Sequence, residues 1–356
     1  MKMNMKKLLA MLMALMMVLA LAACGSSSAP AASSAAPAAE SGAASSEAAS
    51  ASGDNYTIAT VVKLTGVAWF DRMEIGVKKF ASDHPGIDAF QTGAPTADPA
   101  EQVRVIEDLI AQGVDAICVV PDSTESVEAV LKKAMDQGIK VVTHEASTIQ
   151  NADCDIEAFD NAEYGAHFME KLGEMMGGKG QYTTFVGSLT ATSHNEWVDA
   201  STALQKQKYP DMELVSNKNE TTEDSENAYQ KTKELLKAYP NLKGFQGSAM
   251  TDAPGVAKAI EEAKLSDSTF VVGTSLVSVS GQYLETGSID MISFWDPAEA
   301  GYAMNELALY LLQGGQIKDG MALTAKGYEK LTLTGKVLKG AAWIDVTKDN
   351  MGDYNF

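Results

Sequence analysis

The stretch GSLTATSHNEW (187–197) places Thr190, Thr192, Ser193, His194 and Asn195 within six positions, directly after an apolar run. A strand-to-helix corner needs one capping side chain, so five hydrogen-bonding groups can also hold a polar ligand. Other apolar runs end in a similar way. VVKLTGVAWF (61–70) supplies Lys63, then Trp69 and Phe70; AICVVP is followed by Asp122; KVVTHE ends on His144 and Glu145. GSAMTDAPG (247–255) carries Ala249, Thr251 and Asp252, and ISFWDPAEAGY (292–302) carries Trp295 and Asp296. Ammonium, carboxylate and amide groups bind hydroxyls, the charged ones most strongly, while aromatic rings cover C–H faces. A carbohydrate needs both kinds of wall.

Each of these residues also has a local reading. Ser193 can be an N-cap, with Glu196 three residues on completing a capping box. Lys63 can be a solvated loop lysine, Trp69 and Trp295 can be core, and His144 and His194 can be ordinary partly buried histidines. The cap accounts for the Ser193 hydroxyl and leaves His194 and Asn195 unexplained. A ligand contact by His194 carries its own expectation: affinity changes over about pH 5 to 8, where an unperturbed imidazole titrates.

Such residues act together only if the fold converges them. Strand-like runs occur at 56–62, 115–120, 140–144, 182–186, 244–248, 270–274 and 290–295. Helical patterns such as AEQVRVIEDLIAQG and TESVEAVLKKAMDQG lie between them and end on glycine, as helices often do. Alternating strands and helices predict an α/β fold of doubly wound parallel sheets, buried on both faces where strands read as continuously apolar. The alternation runs from 55 to 146 and begins again near Ala158, predicting two lobes. Doubly wound sheets bind ligands at the carboxyl ends of their strands, where the residues named above fall.

The ends carry different information. MKMNMKK followed by LLAMLMALMMVLALAA and Cys24 reads as a signal peptide over 1–23. Residues 25–53 contain no large apolar side chain and read as a flexible Ala/Ser/Pro tether. Setting aside Lys2, Lys6, Lys7, Glu40 and Glu47 leaves 25 basic and 45 acidic side chains, a net charge of −20. That field repels nucleic acid and anionic headgroups. Cys118 reads as a small core residue, and a disulfide to Cys154 stays open because spacing alone does not decide it. No cysteine or histidine spacing suggests a metal.

The segments KLTGVAWF, TATSHNEW, LLKAYPNLKG and FWDPAEAGY together resemble the sugar-type periplasmic binding proteins of ABC importers, closest to the autoinducer-2 and rhamnose branches. The likeness spans about 56 to 356. It implies the type 1 fold: two doubly wound parallel-sheet lobes, joined by a three-segment hinge and closing on a ligand. The expected lobes are 54–146 plus 296–330, and 147–295 plus 331–356. Leu21-Ala22-Ala23-Cys24 resembles the bacterial lipoprotein signal, implying cleavage before Cys24, diacylglyceryl attachment to its sulfur and anchoring on the outer face of the cell membrane.

In the autoinducer-2 branch the resemblance places Lys63 at the lysine after the first strand and Glu145 where an aspartate is usual. Ser193-His194 stands where Asp-Gln is usual, and Ala249 and Thr251 fall where Pro-x-Ala is usual. Thr190 and Thr192 match the rhamnose-type corner, and Trp295 fits both. The implied role is a monomeric receptor without cofactor or metal, which captures autoinducer-2 or a deoxyhexose such as rhamnose for a membrane permease. The alternative partner is a kinase or chemoreceptor, with the same fold acting as a sensor. An enzyme reading finds no nucleophile: MGGKGQ (176–181) lacks phosphate-loop spacing, G-x-S-x-G is absent, and only a Glu145–His194 pair suggests acid/base chemistry.

Overall fold

The computed structural model describes residues 55–356; the leader, Cys24 and the tether expected over 1–53 lie outside them. The chain opens with β1 (Thr57–Val62), α1 (Ala68–Asp83), β2 (Asp88–Gly93), α2 (Pro99–Gln112), β3 (Ala116–Val119), α3 (Thr124–Asp136), β4 (Lys140–Thr143) and β5 (Cys154–Glu157). Then follow α4 (Asn161–Met175), β6 (Lys179–Val186), α5 (Thr192–Lys208), β7 (Asp211–Glu220), α6 (Ser225–Ala238), β8 (Leu242–Gly247) and α7 (Asp252–Ala263). The remainder is β9 (Phe270–Thr274), α8 (Val277–Thr286), β10 (Met291–Phe294), α9 (Pro297–Leu312), β11 (Thr332–Thr334), β12 (Val337–Lys339) and β13 (Ile344–Val346).

Two sheets result, ordered β11-β12-β5-β4-β3-β1-β2 and β13-β10-β9-β8-β6-β7. Strands pair in parallel except β11 on β12 and β13 on β10. The chain passes between the sheets three times: from β5 to α4, from β10 to α9, and from β12 to β13.

The two-residue period of a strand explains the layering of the first sheet. Ala59 and Val61 of β1 join Ile106 and Leu109 of α2 and Val127 and Leu131 of α3 in one core. Ile58 and Val62 point the other way and join Met73, Val77 and Phe80 of α1 with Met304 and Leu307 of α9. Thr60, on the same face as Ile58, is matched there by the Asn305 amide of α9 at 2.9 Å. The α1–α9 contact depends on Gly76, where a Cβ would fall 1.8 Å from the Ala298 carbonyl oxygen. Helix α2 is capped as its sequence predicts, with Asp98 accepting from two backbone N–H groups and Gly113 left-handed at the other end (φ 75°).

Several expectations change. The β2, β5, β7, β11, β12 and β13 strands are not among the predicted runs. β2 and β7 each lie at one edge of their sheets, half exposed and therefore polar in sequence. Segments 147–157 and 331–339, expected in the second lobe, contain β5, β11 and β12 of the first sheet. Ser193 lies inside α5, whose cap position is Ala191 with no side-chain cap bond, so the capping box does not form. Cys118 and Cys154 are both buried and free.

Candidate functional site

The carboxyl ends of β1, β4, β6, β7, β8, β9 and β10 converge on a narrow cavity between the two lobes. The first lobe contributes Lys63, Leu64, Val67, Trp69, Phe70 and Glu145. The second contributes His194, Trp197, Glu223, Ser248, Met250, Thr251 and Thr274, and Trp295 stands on the β10-to-α9 crossing.

Trp295 organises the aromatic wall. Its ring meets Trp69 edge-on at 4.7 Å and Trp197 at 5.9 Å, the geometry aromatic quadrupoles favour. Its indole N–H donates to His144 Nε2 at 3.2 Å, so His144 Nδ1 carries the proton donated to the Ile156 carbonyl. Trp197 in turn donates to Asn161 Oδ1 at 2.8 Å. The rings are therefore fixed before any ligand arrives.

A buried ion pair faces them. Lys63 Nζ lies 2.8 Å from Glu145 Oε2, each side chain 4% exposed. Burial works against both charges, but Glu145, Glu223 and Asp122 hold the ammonium above its ordinary value. Burial likewise opposes the Glu145 charge, and Lys63 overcomes it, leaving the carboxyl at about 2. Glu145 sits in the left-handed region (φ 59°), a conformation that costs a non-glycine residue about 1–3 kcal/mol and is often found at functional sites. The same Oε2 accepts from Ser193 Oγ of the second lobe at 3.1 Å. Thr124 and Thr192 hydroxyls meet across the lobes at 2.7 Å, and Ser147 donates to Glu196 at 2.5 Å. The lobes are closed on each other.

His194 Nδ1 accepts from the Gly187 N–H at 3.2 Å, which leaves the proton of the neutral ring on Nε2. Burial, reinforced by Lys63, pulls its pKa down to about 3. In this closed arrangement the ring is therefore neutral over pH 5 to 8. Glu223 moves oppositely, pushed up to about 7 by burial. Glu223 Oε1, Ser248 Oγ and Thr251 Oγ1 have no hydrogen-bond partner among the described residues.

Of the predicted site residues, the structure brings Lys63, Trp69, Phe70, Glu145, His194, Thr251 and Trp295 to the cavity. Ser193 reaches it only through Glu145. The others are used elsewhere. Asn195 donates to the carbonyls of Ser188, Leu189 and Ala191, stitching its own turn. Asp252 accepts from the Ser248 and Ala249 N–H groups and from Thr221, holding the start of α7, and Ala249 lies buried behind it. Asp296 caps α9 through Ala298 N–H and forms a two-point bond with Arg72. Asp122 lies buried off the cavity wall, its backbone N–H donating to Gln102 and its carboxylate felt by Lys63. Sequence reasoning missed Glu223 and Trp197. Glu223 follows β7 and meets the same strand-end criterion as the rest, but β7 itself was not recognised. Trp197 lies one turn beyond His194, in the quoted corner.

A periplasmic binding protein domain matches residues 58–316. The D-ribose/D-allose-binding protein of Pseudomonas aeruginosa is 35% identical over 89 residues, 24% of this chain and 27% of that protein. Two further curated relatives are spanned over 47% and 40% of their lengths. Among solved structures, LsrB of Clostridium saccharobutylicum in complex with AI-2 superposes with a TM-score of 0.77, at 22% identity, over 84% of this chain and all of that one. A solute-binding protein of Clostridium phytofermentas with bound L-rhamnose gives 0.76 at 21% identity, over 84% and 98%. At such identities the superpositions establish the two-lobed fold.

Proposed function

This chain belongs to the periplasmic binding protein domain family, and on that premise we propose that it is the solute-binding receptor of an ABC importer, capturing a small sugar or sugar-like molecule between its lobes. One observation carries the reading. A three-tryptophan wall faces a set of polar groups across the cavity between the lobes, and three of those groups lack a hydrogen-bond partner among the described residues. Rings suit the C–H faces of a pyranose or furanose, and free hydroxyl and carboxyl oxygens suit its hydroxyls.

Capture follows from the closed geometry. The bonds Ser193–Glu145 and Thr124–Thr192 exist only while the lobes meet. A ligand touching both walls binds the closed form better and shifts the population toward it. Autoinducer-2 and deoxyhexoses such as rhamnose are the first candidates, with ribose and allose suggested by the curated relative. Anchoring through a lipidated Cys24 would hold the receptor beside its permease, and among the described residues no helix is long and apolar enough to cross a membrane.

Calorimetry on residues 51–356, which form one compact unit, tests the proposal. Autoinducer-2 or one member of a panel of pentoses, hexoses and deoxyhexoses should bind well below millimolar, that is, more favourably than about −4 kcal/mol. Binding no tighter than that for every member rejects the sugar-receptor reading.

A further inference from the structure

Two carboxyl groups face the cavity, and their situations differ. Glu145 is engaged at Oε2, which takes both the Lys63 ammonium and the Ser193 hydroxyl. Glu223 is not. It sits in the loop after β7 with a left-handed backbone (φ 55°), a conformation that persists in a non-glycine residue only where its surroundings enforce it. Its side chain is 12% exposed and reaches past Gly187, where a Cβ would fall 2.3 Å from Glu223 Oε1. Glycine at 187 leaves the carboxyl its room. His194 Nδ1 lies 4.0 Å away, but that nitrogen is already an acceptor for the Gly187 N–H. A strained, enclosed carboxyl oxygen without a hydrogen-bond partner among the described residues calls for one from outside.

The groups acting on Glu223 are Lys63 at the end of β1, Glu145 after β4, Asp122 after β3 and Asp252 at the start of α7, with neutral His194 on α5. Lys63 is already bonded to Glu145. Around this corner carboxyls therefore outnumber the ammonium. Ser248 and Thr251 hydroxyls both donate and accept, so they do not discriminate between ligand polarities. Glu223 does.

Resting on the receptor reading above and deepening it, we propose that Glu223 sets the chemical class of the ligand. Its free oxygen reads a donor on the bound polyol, a hydroxyl or an ammonium, and turns away a polyol carrying carboxylate or phosphate. Where Glu223 is ionised, seating an anion there would press two like charges together in an enclosed space, so the test below is run at pH 8, above the value of about 7 to which burial raises this carboxyl. With an amine-bearing sugar the same position completes a charge pair.

Calorimetry on the full-length chain tests this with glucose, galactose and the pentose and deoxyhexose panel as neutral members. Glucosamine and galactosamine serve as cationic members, and glucuronate, galacturonate and glucose 6-phosphate as anionic ones. The wild type should bind at least one neutral or amine-bearing sugar and no anionic one. Glu223→Gln, which keeps the shape and removes the acid, should lose about 10- to 100-fold on the accepted ligand and narrow the gap to its anionic counterpart. Glu223→Gly, which adopts φ 55° freely, gives the same reading if the glutamine variant melts early. Two results overturn the assignment while sparing the receptor reading: an anionic sugar binding as tightly as its neutral counterpart, or a Glu223→Gln variant with unchanged affinity and selectivity. If neither autoinducer-2 nor any panel member binds either protein, the receptor reading falls and this assignment with it.

Discussion

Lys63 is the side chain whose loss the site tolerates least. Replacing it with methionine leaves Glu145 buried and unpaired, which costs about 3–5 kcal/mol of stability. Urea unfolding of Lys63→Met should show that loss, and calorimetry should show ligand binding gone. The double variant Lys63→Met/Glu145→Gln should regain much of the stability without regaining the ligand, because an uncharged pair no longer needs a counterion. His194 supplies a second prediction, with a sign. Its folded pKa, about 3, lies below the ordinary 6.5, so the stability it contributes is complete above 6.5 and is lost as pH falls toward 3. His194→Asn should therefore lose less stability than the wild type between pH 6.5 and pH 4, by urea unfolding at each pH. At this scale the sequence revealed which polar groups were present but not which way they turn. Asn195, Asp252 and Asp296 begin helices just as His194 and Thr251 do, yet they satisfy nearby backbone instead of facing the cavity. A helix start offers a polar side chain both options within one turn, and direction is settled by tertiary packing.

At the scale of elements, inner strands such as β3 were legible because burial on both faces writes them as unbroken apolar runs. The strands that escaped notice are those burial does not write. DMELVSNKNE of β7 and DAFQTG of β2 form sheet borders, and CDIE of β5 holds its acids inside through Thr143 and Asn161 rather than by being apolar. Missing β7 hid Glu223, since a strand end cannot be searched before its strand is found. The α1–α9 contact gives a prediction at this scale. Gly76→Ala should force the helices apart at Ala298, an overpacking worth about 1–3 kcal/mol, visible as a lowered melting temperature. Because α1 carries Trp69 and α9 follows Trp295, the same substitution should weaken ligand binding without touching a contact residue.

At the scale of the whole molecule, the closed arrangement is held by a few hydroxyl contacts across the cleft. Ser193→Ala with Thr192→Val removes two of them. At about 0.5–1.5 kcal/mol each, their loss should shift the ligand-free population toward the open form. X-ray scattering should then record a larger radius of gyration, and affinity should fall about 5- to 100-fold. Unchanged scattering and affinity would show that closure is set elsewhere, in the three crossings. The two-lobed plan was readable from the doubled alternation of strands and helices. Where the chain changes lobes was not, because β5, β11 and β12 are short and carry little pattern of their own.

The aromatic wall has a practical consequence. Three of the protein's four tryptophans, Trp69, Trp197 and Trp295, surround the cavity, and the fourth, Trp343, lies beside the last crossing. Three of the four indole emitters thus stand where occupancy changes. Titrating an unlabelled solute while watching the emission maximum and its intensity reads the site directly, with no dye and no engineered probe.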